Sequence, residues 1–359
     1  MGRGDKIAVI LPNHLGDVVM ATAALRALRS ARPEARILGV VRQELAPVLE
    51  GGPWLDALLP HAAYRTRNPA RRLRVRMELA RKLAGYDVVL VFPNSVSSAL
   101  LAALSRAPTR IGYRRRARGW LLSEAVEPPR RNGRVVPIAM ERAYLALLEP
   151  LGISSEDTRL ELFCTPEAER QAQELLRARG VSRDRPLVSI APGAAFGPSK
   201  LWPTEHYARV ARGLVGADVQ VALIHAPGEQ ALADAILGAA GSGVVSLGGA
   251  GMTLAVLKSI VQSSGLVLCN DAGARHIAAA FGVAAIVLMG PTSLDYTSLN
   301  LGRTRILRTA FPCQPCQLKV CPIDHRCMTQ LRPEGVLQEA LAALGDPAWS
   351  GDAALEAPA

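Results

Sequence analysis

From Leu187 onward, short apolar runs and helical patterns take strict turns along the chain. Strands fit residues 187–191, 219–224, 243–247, 266–269 and 284–288, and helices fit 203–215, 229–239, 253–263 and 274–281. A chain that alternates in this way returns each strand in the same direction through a helical crossover, so it specifies a parallel, doubly wound α/β sheet. The first half repeats the theme less regularly, with strands over Lys6–Leu11, Ile37–Val41, Asp87–Phe92 and Thr109–Tyr113 and helices over Val18–Ser30, Ala99–Ser105 and Ile138–Leu151. With 359 residues, 49% of them apolar, the chain can fill two cores. Two α/β domains are therefore expected, over 1–175 and 176–345, joined near Thr165-Pro166 and followed by a frayed tail at 346–359. The cleft between two such domains is the default ligand site.

Charge is distributed unevenly. Residues 65–134 hold 17 of the 42 Lys and Arg but only 4 of the 31 acids. Arg65, Arg67, Arg71, Arg72, Arg74 and Arg76 form one cluster, and Arg114, Arg115, Arg116 and Arg118 a second. Such a field attracts an anionic membrane surface or a phosphorylated substrate, or it is a solvated face. Aromatic residues are not interleaved with the arginines, and no zinc-finger, RRM or KH pattern is present, which argues against nucleic acid. The N-terminus runs directly into a strand pattern without an apolar signal segment, and no apolar run approaches the roughly 20 residues of a membrane span. A cytoplasmic protein is expected.

Three turns carry residues suited to chemistry. The first, Pro12-Asn13-His14-Leu15-Gly16-Asp17, leaves a strand and opens a helix. Asp17 there suits an N-cap, and equally a general base held at a strand end. The second, Ala191-Pro192-Gly193-Ala194-Ala195-Phe196-Gly197-Pro198-Ser199-Lys200, is small and Gly-rich with a single cation just before a helix. That composition suits a phosphate or diphosphate, and also an ordinary connection with a solvated Lys. In the third, Cys269-Asn270-Asp271-Ala272-Gly273-Ala274-Arg275-His276, a buried strand delivers Asp271 to its carboxyl end and Gly273 opens the next helix. Asp271 could accept sugar hydroxyls or cap the helix, and His276 could bind a ligand or pack. Gly248-Gly249-Ala250-Gly251 has the wrong spacing for a dinucleotide fingerprint, and no P-loop is present, so a nicotinamide-dependent oxidoreductase and an ATPase are both disfavoured.

Cys313, Cys316, Cys321 and Cys327 lie within fifteen residues, with His325 between the last two. This spacing could hold a structural zinc, or four free thiols in a loop.

Together these motifs resemble glycosyltransferase family 9, the bacterial ADP-heptose:lipopolysaccharide heptosyltransferases. Leu11 to Asp17 resembles the family's N-terminal motif, Pro192 to Pro203 its donor loop, and Asn270 to His276 its second donor motif. Pro93-Asn94-Ser95 and Pro137-Ile-Ala-Met-Glu-Arg look most like the heptosyltransferase II branch. The resemblance implies a GT-B fold of two Rossmann-like domains facing across a cleft, with the acceptor on the N-terminal domain and the nucleotide sugar on the C-terminal one. It implies an inverting transfer of L-glycero-D-manno-heptose from ADP-heptose to the heptose on a Kdo–lipid A inner core, without a catalytic metal or cofactor. Carried over residue by residue, Asp17 becomes the base and Lys200 the diphosphate ligand. Gly193, Ala194, Ala195, Glu229, Asp271, Ala272, Gly273 and His276 line the donor site, and Asn13, His14, Asn94, Arg114, Arg115 and Arg116 the acceptor site. The chain departs from the family at Ala272, where a Ser or Thr is common, so a donor-binding hydroxyl is lost. The basic N-terminal half suits a phosphorylated lipid acceptor and peripheral contact with the inner leaflet. The competing readings are a first or third heptosyltransferase, a transferase of another nucleotide sugar, and a non-catalytic protein that binds a sugar nucleotide or an anionic lipid.

Overall fold

The computed structural model describes residues 6–62, 68–249, 251–346, 349 and 355–356. Arg65, Arg67, Ala250 and most of the expected tail lie outside them. The chain forms two compact units, Met1–Phe163 with Asp295–Leu299, and Cys164–Leu294 with Asn300–Ala359.

The first unit runs β1 (Lys6–Ile10), α1 (Leu15–Met20), α2 (Thr22–Ala31), β2 (Arg36–Arg42), α3 (Ala46–Leu49), β3 (Ala57–His61), α4 (Pro69–Lys82), β4 (Val88–Val91), α5 (Val96–Leu104), β5 (Thr109–Tyr113) and β6 (Glu124–Val126). A small hairpin of β7 (Arg130–Arg131) and β8 (Arg134–Val135) precedes α6 (Met140–Ala146). The sheet order is β3-β2-β1-β4-β5-β6, all parallel. Val88–Val91 is apolar throughout and buried throughout, because helices cover both faces of the sheet and no side of the strand meets water.

The second unit runs α7 (Pro166–Ala178), β9 (Leu187–Ala191), α8 (Thr204–Gly216), β10 (Gln220–Leu223), α9 (Gln230–Ala240), β11 (Val244–Ser246), α10 (Leu254–Gln262), β12 (Leu266–Asn270), α11 (Gly273–Ala280), β13 (Ala284–Leu288) and β14 (Thr304–Arg308). It closes with α12 (Arg326–Thr329), α13 (Pro333–Gly345) and β15 (Leu355–Glu356). The order is β11-β10-β9-β12-β13-β14-β15, again parallel. Helix α8 shows how such a layer forms. Tyr207, Val210, Ala211 and Leu214 recur at helical spacing and bury one stripe against the sheet. Burying a residue such as Leu214 contributes about 1.5–3 kcal/mol.

The strand order of each sheet reverses once, between the parallel neighbours β1 and β4 in the first unit and β9 and β12 in the second. At a reversal the loops leaving the two strands diverge and open a crevice beyond their carboxyl ends. Those loops are Leu11–His14 and Phe92–Ser95 in one unit, and Pro192–Gly197 and Asp271–Ala272 in the other. Three of them belong to the turns singled out by their chemistry, and Phe92–Ser95 holds the Pro93-Asn94-Ser95 motif of the resemblance.

Several expectations need correction. The helix expected over Val18–Ser30 begins earlier, at Leu15, and breaks at Ala21. The cluster from Arg71 to Arg76 forms helix α4, whose first N–H groups are capped by the Asn68 side chain. The helix expected over Ile138–Leu151 stops at Ala146, and a 3-10 turn follows at Glu149–Leu151, where Pro150 lacks a donor. The chain enters the second unit after Phe163 because α7 packs on α10. The described part of the tail is tied down. Trp349 is buried in the second core with the Arg305 guanidinium 5.5 Å from its ring centroid, and β15 pairs with β14.

Candidate functional site

In the second unit the loop after β9 and the loop after β12 meet around one carboxylate. Lys200 ends a 3-10 turn, Pro198–Lys200, and its buried ammonium donates to Asp271 Oδ2 at 2.8 Å and to the Asp271 carbonyl at 2.6 Å. Arg275, in the first turn of α11, donates to Asp271 Oδ1 at 3.0 Å, and the Thr292 hydroxyl donates to Oδ2 at 2.7 Å. Burial alone would raise the Asp271 carboxyl. The Lys200 and Arg275 cations outweigh it and hold the group well below the usual carboxylate range. Burial, then Arg275, pushes buried His276 down to about 3, so its ring is neutral at physiological pH. Two cations on one carboxylate give this trio a net positive charge in a desolvated corner.

That charge lies at the start of α11, where the N-cap residue is Ala272 and has no side chain to accept from the first-turn N–H groups. Asp271 is therefore not the cap; its carboxylate is committed to Lys200, Arg275 and Thr292. Asn270 fixes the neighbouring backbone, donating to the Pro192 carbonyl at 2.6 Å while accepting from the Tyr207 hydroxyl at 2.9 Å. Gly193 and Glu229 are also brought together. A Cβ at 193 would lie 2.0 Å from Glu229 Oε1, so only glycine admits that carboxylate. Glu229 Oε2 accepts from the Ala226 N–H at 3.0 Å, which fixes the approach. Ala194 and Ala195 occupy the half-buried to exposed lip of the same loop.

In the first unit Asp17 is the third residue of α1 and His14 is the N-cap, so Asp17 does not cap this helix either. Its carboxylate is half-buried and acts on Tyr144, whose hydroxyl is pushed well above its ordinary value by burial, with Asp17 and Glu141 adding to the shift. Asn13 and His14 are exposed beside it. Asn94 and Arg115 line a recess of about 40 Å³ with Phe92, Tyr113, Tyr144 and Tyr296. The three acceptor arginines separate: Arg114 pairs with Glu127 at 2.5 Å, Arg115 lines the recess, and Arg116 is exposed.

The residue that sequence reading undervalued here is Arg118. It is fully buried, and its guanidinium donates to the Tyr113 carbonyl at 3.0 Å, the Pro93 carbonyl at 2.5 Å, the Ser95 carbonyl at 3.1 Å and Asn94 Oδ1 at 3.1 Å. Burial, then Arg115 and Arg116, lowers it to about 10, still charged at neutral pH. It ties the loop after β4 to the end of β5.

Among the described residues no three His, Cys, Asp or Glu side chains are grouped so as to hold a metal ion. Cys327 is buried while Cys313 is exposed. Burial pushes the Cys327 thiol up to about 11, with Cys321, Cys313 and Cys316 adding to the shift.

Two parallel doubly wound units, each with its chemistry at the switch point, are the architecture of a GT-B glycosyltransferase. The structure of the E. coli ADP-heptose LPS heptosyltransferase II superimposes with a TM-score of 0.75 at 26% identity, covering 94% of this chain and 98% of that one. A glycosyltransferase family 9 structure from Veillonella parvula superimposes at 0.80 with 22% identity, covering 95% and 97%. The sequence profile of glycosyltransferase family 9 (heptosyltransferase) matches residues 73–326, and the chain belongs to that family. Lipopolysaccharide heptosyltransferase 2 of Salmonella typhimurium is 30% identical over 93% of this chain and 97% of its own length. The enzyme of the same name from Escherichia coli is 29% identical over the same shares. Among the described residues, no helix is long and apolar enough to cross a membrane.

Proposed function

We propose that this glycosyltransferase transfers L-glycero-D-manno-heptose from ADP-heptose to the heptosyl–Kdo–lipid A inner core, with inversion. The observation that carries the reading is the Lys200–Asp271–Arg275 cluster, with its net positive charge beside the open N-terminus of α11. An ammonium and oriented N–H groups in a dry corner suit a diphosphate, and they gain strength as negative charge builds on the leaving group. Gly193 and Glu229, on the same sheet edge, suit the donor's hydroxyl groups.

In the transfer, Asp17 accepts the proton of the acceptor hydroxyl. The freed oxygen forms a bond to the anomeric carbon on the face opposite the diphosphate. The bond from that carbon to the diphosphate oxygen breaks, and ADP departs with the electron pair. The transition state has oxocarbenium character, as in glycoside hydrolysis. His276, buried and neutral, shapes the donor pocket and takes no proton.

Surface chemistry supports an acceptor embedded in a lipid surface. Trp120 is 79% exposed, and Leu73 on α4 and Val96 on α5 are exposed at 53% and 46%. The elements that carry them are neighbours: α5 packs on α4 and on the turn holding Trp120. Exposed Arg71, Arg74, Arg114 and Arg116 belong to the same elements and their flanking loops. An exposed aromatic on elements that also carry exposed arginines suits the headgroup layer of an anionic membrane.

Titration calorimetry with ADP, comparing wild type and Lys200→Ala, tests the donor half of this reading. The affinity is expected to fall about 10²-fold, at the lower end of what removal of one such stabilising group costs a reaction. Unchanged affinity places the diphosphate elsewhere.

A further inference from the structure

The cysteine-rich segment is packed against the loops that build the donor corner, and we infer that residues 314–325 form a strap positioning Lys200 and Asp271, with His325 and Gln314 as its positioning residues. The inference rests on the donor reading above.

One end of the strap holds the Lys200 turn. His325 Nε2 donates to the Ser199 carbonyl at 2.7 Å. Ser199 in turn donates from its hydroxyl to the Leu318 carbonyl at 2.5 Å and from its N–H to the Lys319 carbonyl at 3.1 Å. The Lys319 backbone presses so closely on Gly197 that a Cβ there would lie 2.5 Å from its carbonyl oxygen. Three hydrogen bonds and one close approach thus fix the residue preceding Lys200 and the glycine that starts the turn.

The other end holds the loop after β13. Gln314 Nε2 donates to the Gly290 carbonyl at 2.9 Å, and the Gln317 N–H donates to the Pro291 carbonyl at 2.8 Å. The next residue, Thr292, is the one whose hydroxyl donates to Asp271. The segment therefore grips the supports of both partners in the Lys200–Asp271 pair, through the His325 and Gln314 side chains and through its own backbone groups. Beyond the strap, Trp202 Nε1 donates to the Leu331 carbonyl at 3.0 Å and pins the far end of the donor loop.

Lys200 is a long side chain whose ammonium has many positions open to it when its turn is free. A turn fixed at Ser199 removes those positions before ligand arrives, so less ordering remains to be done on binding. The strap needs no contact with the nucleotide to raise its affinity.

The test measures ADP affinity by calorimetry and both KM values in wild type, His325→Ala, His325→Gln, Gln314→Ala and Lys200→Ala, each checked for folding by circular dichroism and its melting curve. His325→Ala and Gln314→Ala are expected to weaken ADP binding and raise the ADP-heptose KM by about 3–10-fold, the effect of losing one hydrogen bond. The acceptor KM is expected to stay unchanged, which a general loosening of the fold would not allow. His325→Gln keeps an N–H donor and is expected to restore most of the affinity. Folded His325→Ala and Gln314→Ala proteins with wild-type ADP affinity, beside a Lys200→Ala protein that has lost it, overturn the strap and leave the donor reading intact. If Lys200→Ala also binds ADP normally, the donor reading itself fails and takes the strap with it. If His325→Ala does not fold, Gln314→Ala decides the question.

Discussion

At the scale of single residues, Asp17 and Asp271 are both carboxylates that follow a strand, and their surroundings give them opposite tasks. Asp271 is locked between two cations and kept ionised, so it accepts no proton near neutral pH. Asp17 is half-exposed in the first turn of α1 and is not the cap of that helix, a position suited to proton transfer. Asp17→Asn is therefore expected to lower kcat by about 10²–10⁴-fold, with ADP affinity unchanged. The lost charge in the first turn of α1 costs only about 0.3–1 kcal/mol of stability. Single-turnover kinetics and a urea melt check both statements; near-wild-type turnover removes Asp17 from the base role. Asp271→Ala leaves Lys200 and Arg275 buried without their counter-charge and is expected to destabilise the fold by about 3–5 kcal/mol, read in the same melt. The sequence showed where these carboxylates lie but not whom they meet. Arg275 stands four residues after Asp271, a helical spacing that local reading could have paired. Thr292, twenty-one residues away, reaches Asp271 only through the return of β13, which no local pattern announces. Both aspartates read equally well as helix caps, and only the positions of His14 and Ala272 decided against it.

At the scale of elements, what was legible is what burial writes into the chain. β9, β12 and β13 were visible because both their faces are covered, leaving continuous apolar runs. β3 and β6 are only partly buried, and their mixed residues gave no run to read. Arg118 was hidden in the same way, because in sequence it is one arginine among four, and only packing separates it from its exposed neighbours. Its replacement by Met is expected to release the loop after β4 and to raise the acceptor KM more than the donor KM, measured by varying each substrate in turn; equal KM values in wild type and variant remove that role. Helix α11 carries a pH dependence. The unfolded chain takes up the His276 proton near pH 6.5, whereas the folded chain resists to about 3. Between those values the unfolded state binds the extra proton, so stability falls as pH falls, by up to about 1.4 kcal/mol per pH unit. Asp271 acts lower still: its depressed value contributes stability that is present above about pH 4 and lost as pH falls through the folded value. Urea melts from pH 6.5 to 4.5 cover this window, in which His61 and His206, both also lowered by burial, add slope of the same sign. His276→Gln is expected to flatten that slope, and a slope identical to wild type contradicts the buried, neutral ring.

At the scale of the whole molecule, the proposed mechanism divides the work between the two sheets: it draws the base from the switch point of one and the anion site from the switch point of the other. The charge asymmetry follows the same division, with the basic residues concentrated in the first unit. Vesicles of anionic lipid are expected to sediment the protein at low salt and release it as salt rises, since exposed charges are screened beyond about 8 Å at 0.15 M. Replacing Arg114 and Arg116 with Gln and Trp120 with Ala is expected to abolish that sedimentation without changing ADP affinity; unaltered sedimentation locates the membrane contact elsewhere. The alternation of strands and helices and the positions of the three chemical turns were legible from sequence because each depends on local residues. The seating of Trp349 and of Leu355–Glu356 was not, because it depends on the distant strand β14 and on the core that receives Trp349. The central claim is heptosyl transfer by Asp17 from a diphosphate donor held at Lys200. Its most direct test is mass spectrometry of a heptosyl–Kdo–lipid A acceptor incubated with ADP-heptose and either wild type or Asp17→Asn. The account predicts that wild type adds one heptose to the acceptor and releases one ADP, and that the Asp17→Asn protein binds ADP yet adds heptose about 10²–10⁴-fold more slowly. An acceptor left unmodified by the wild-type enzyme while ADP-heptose is bound, or modified equally by both proteins, would contradict it.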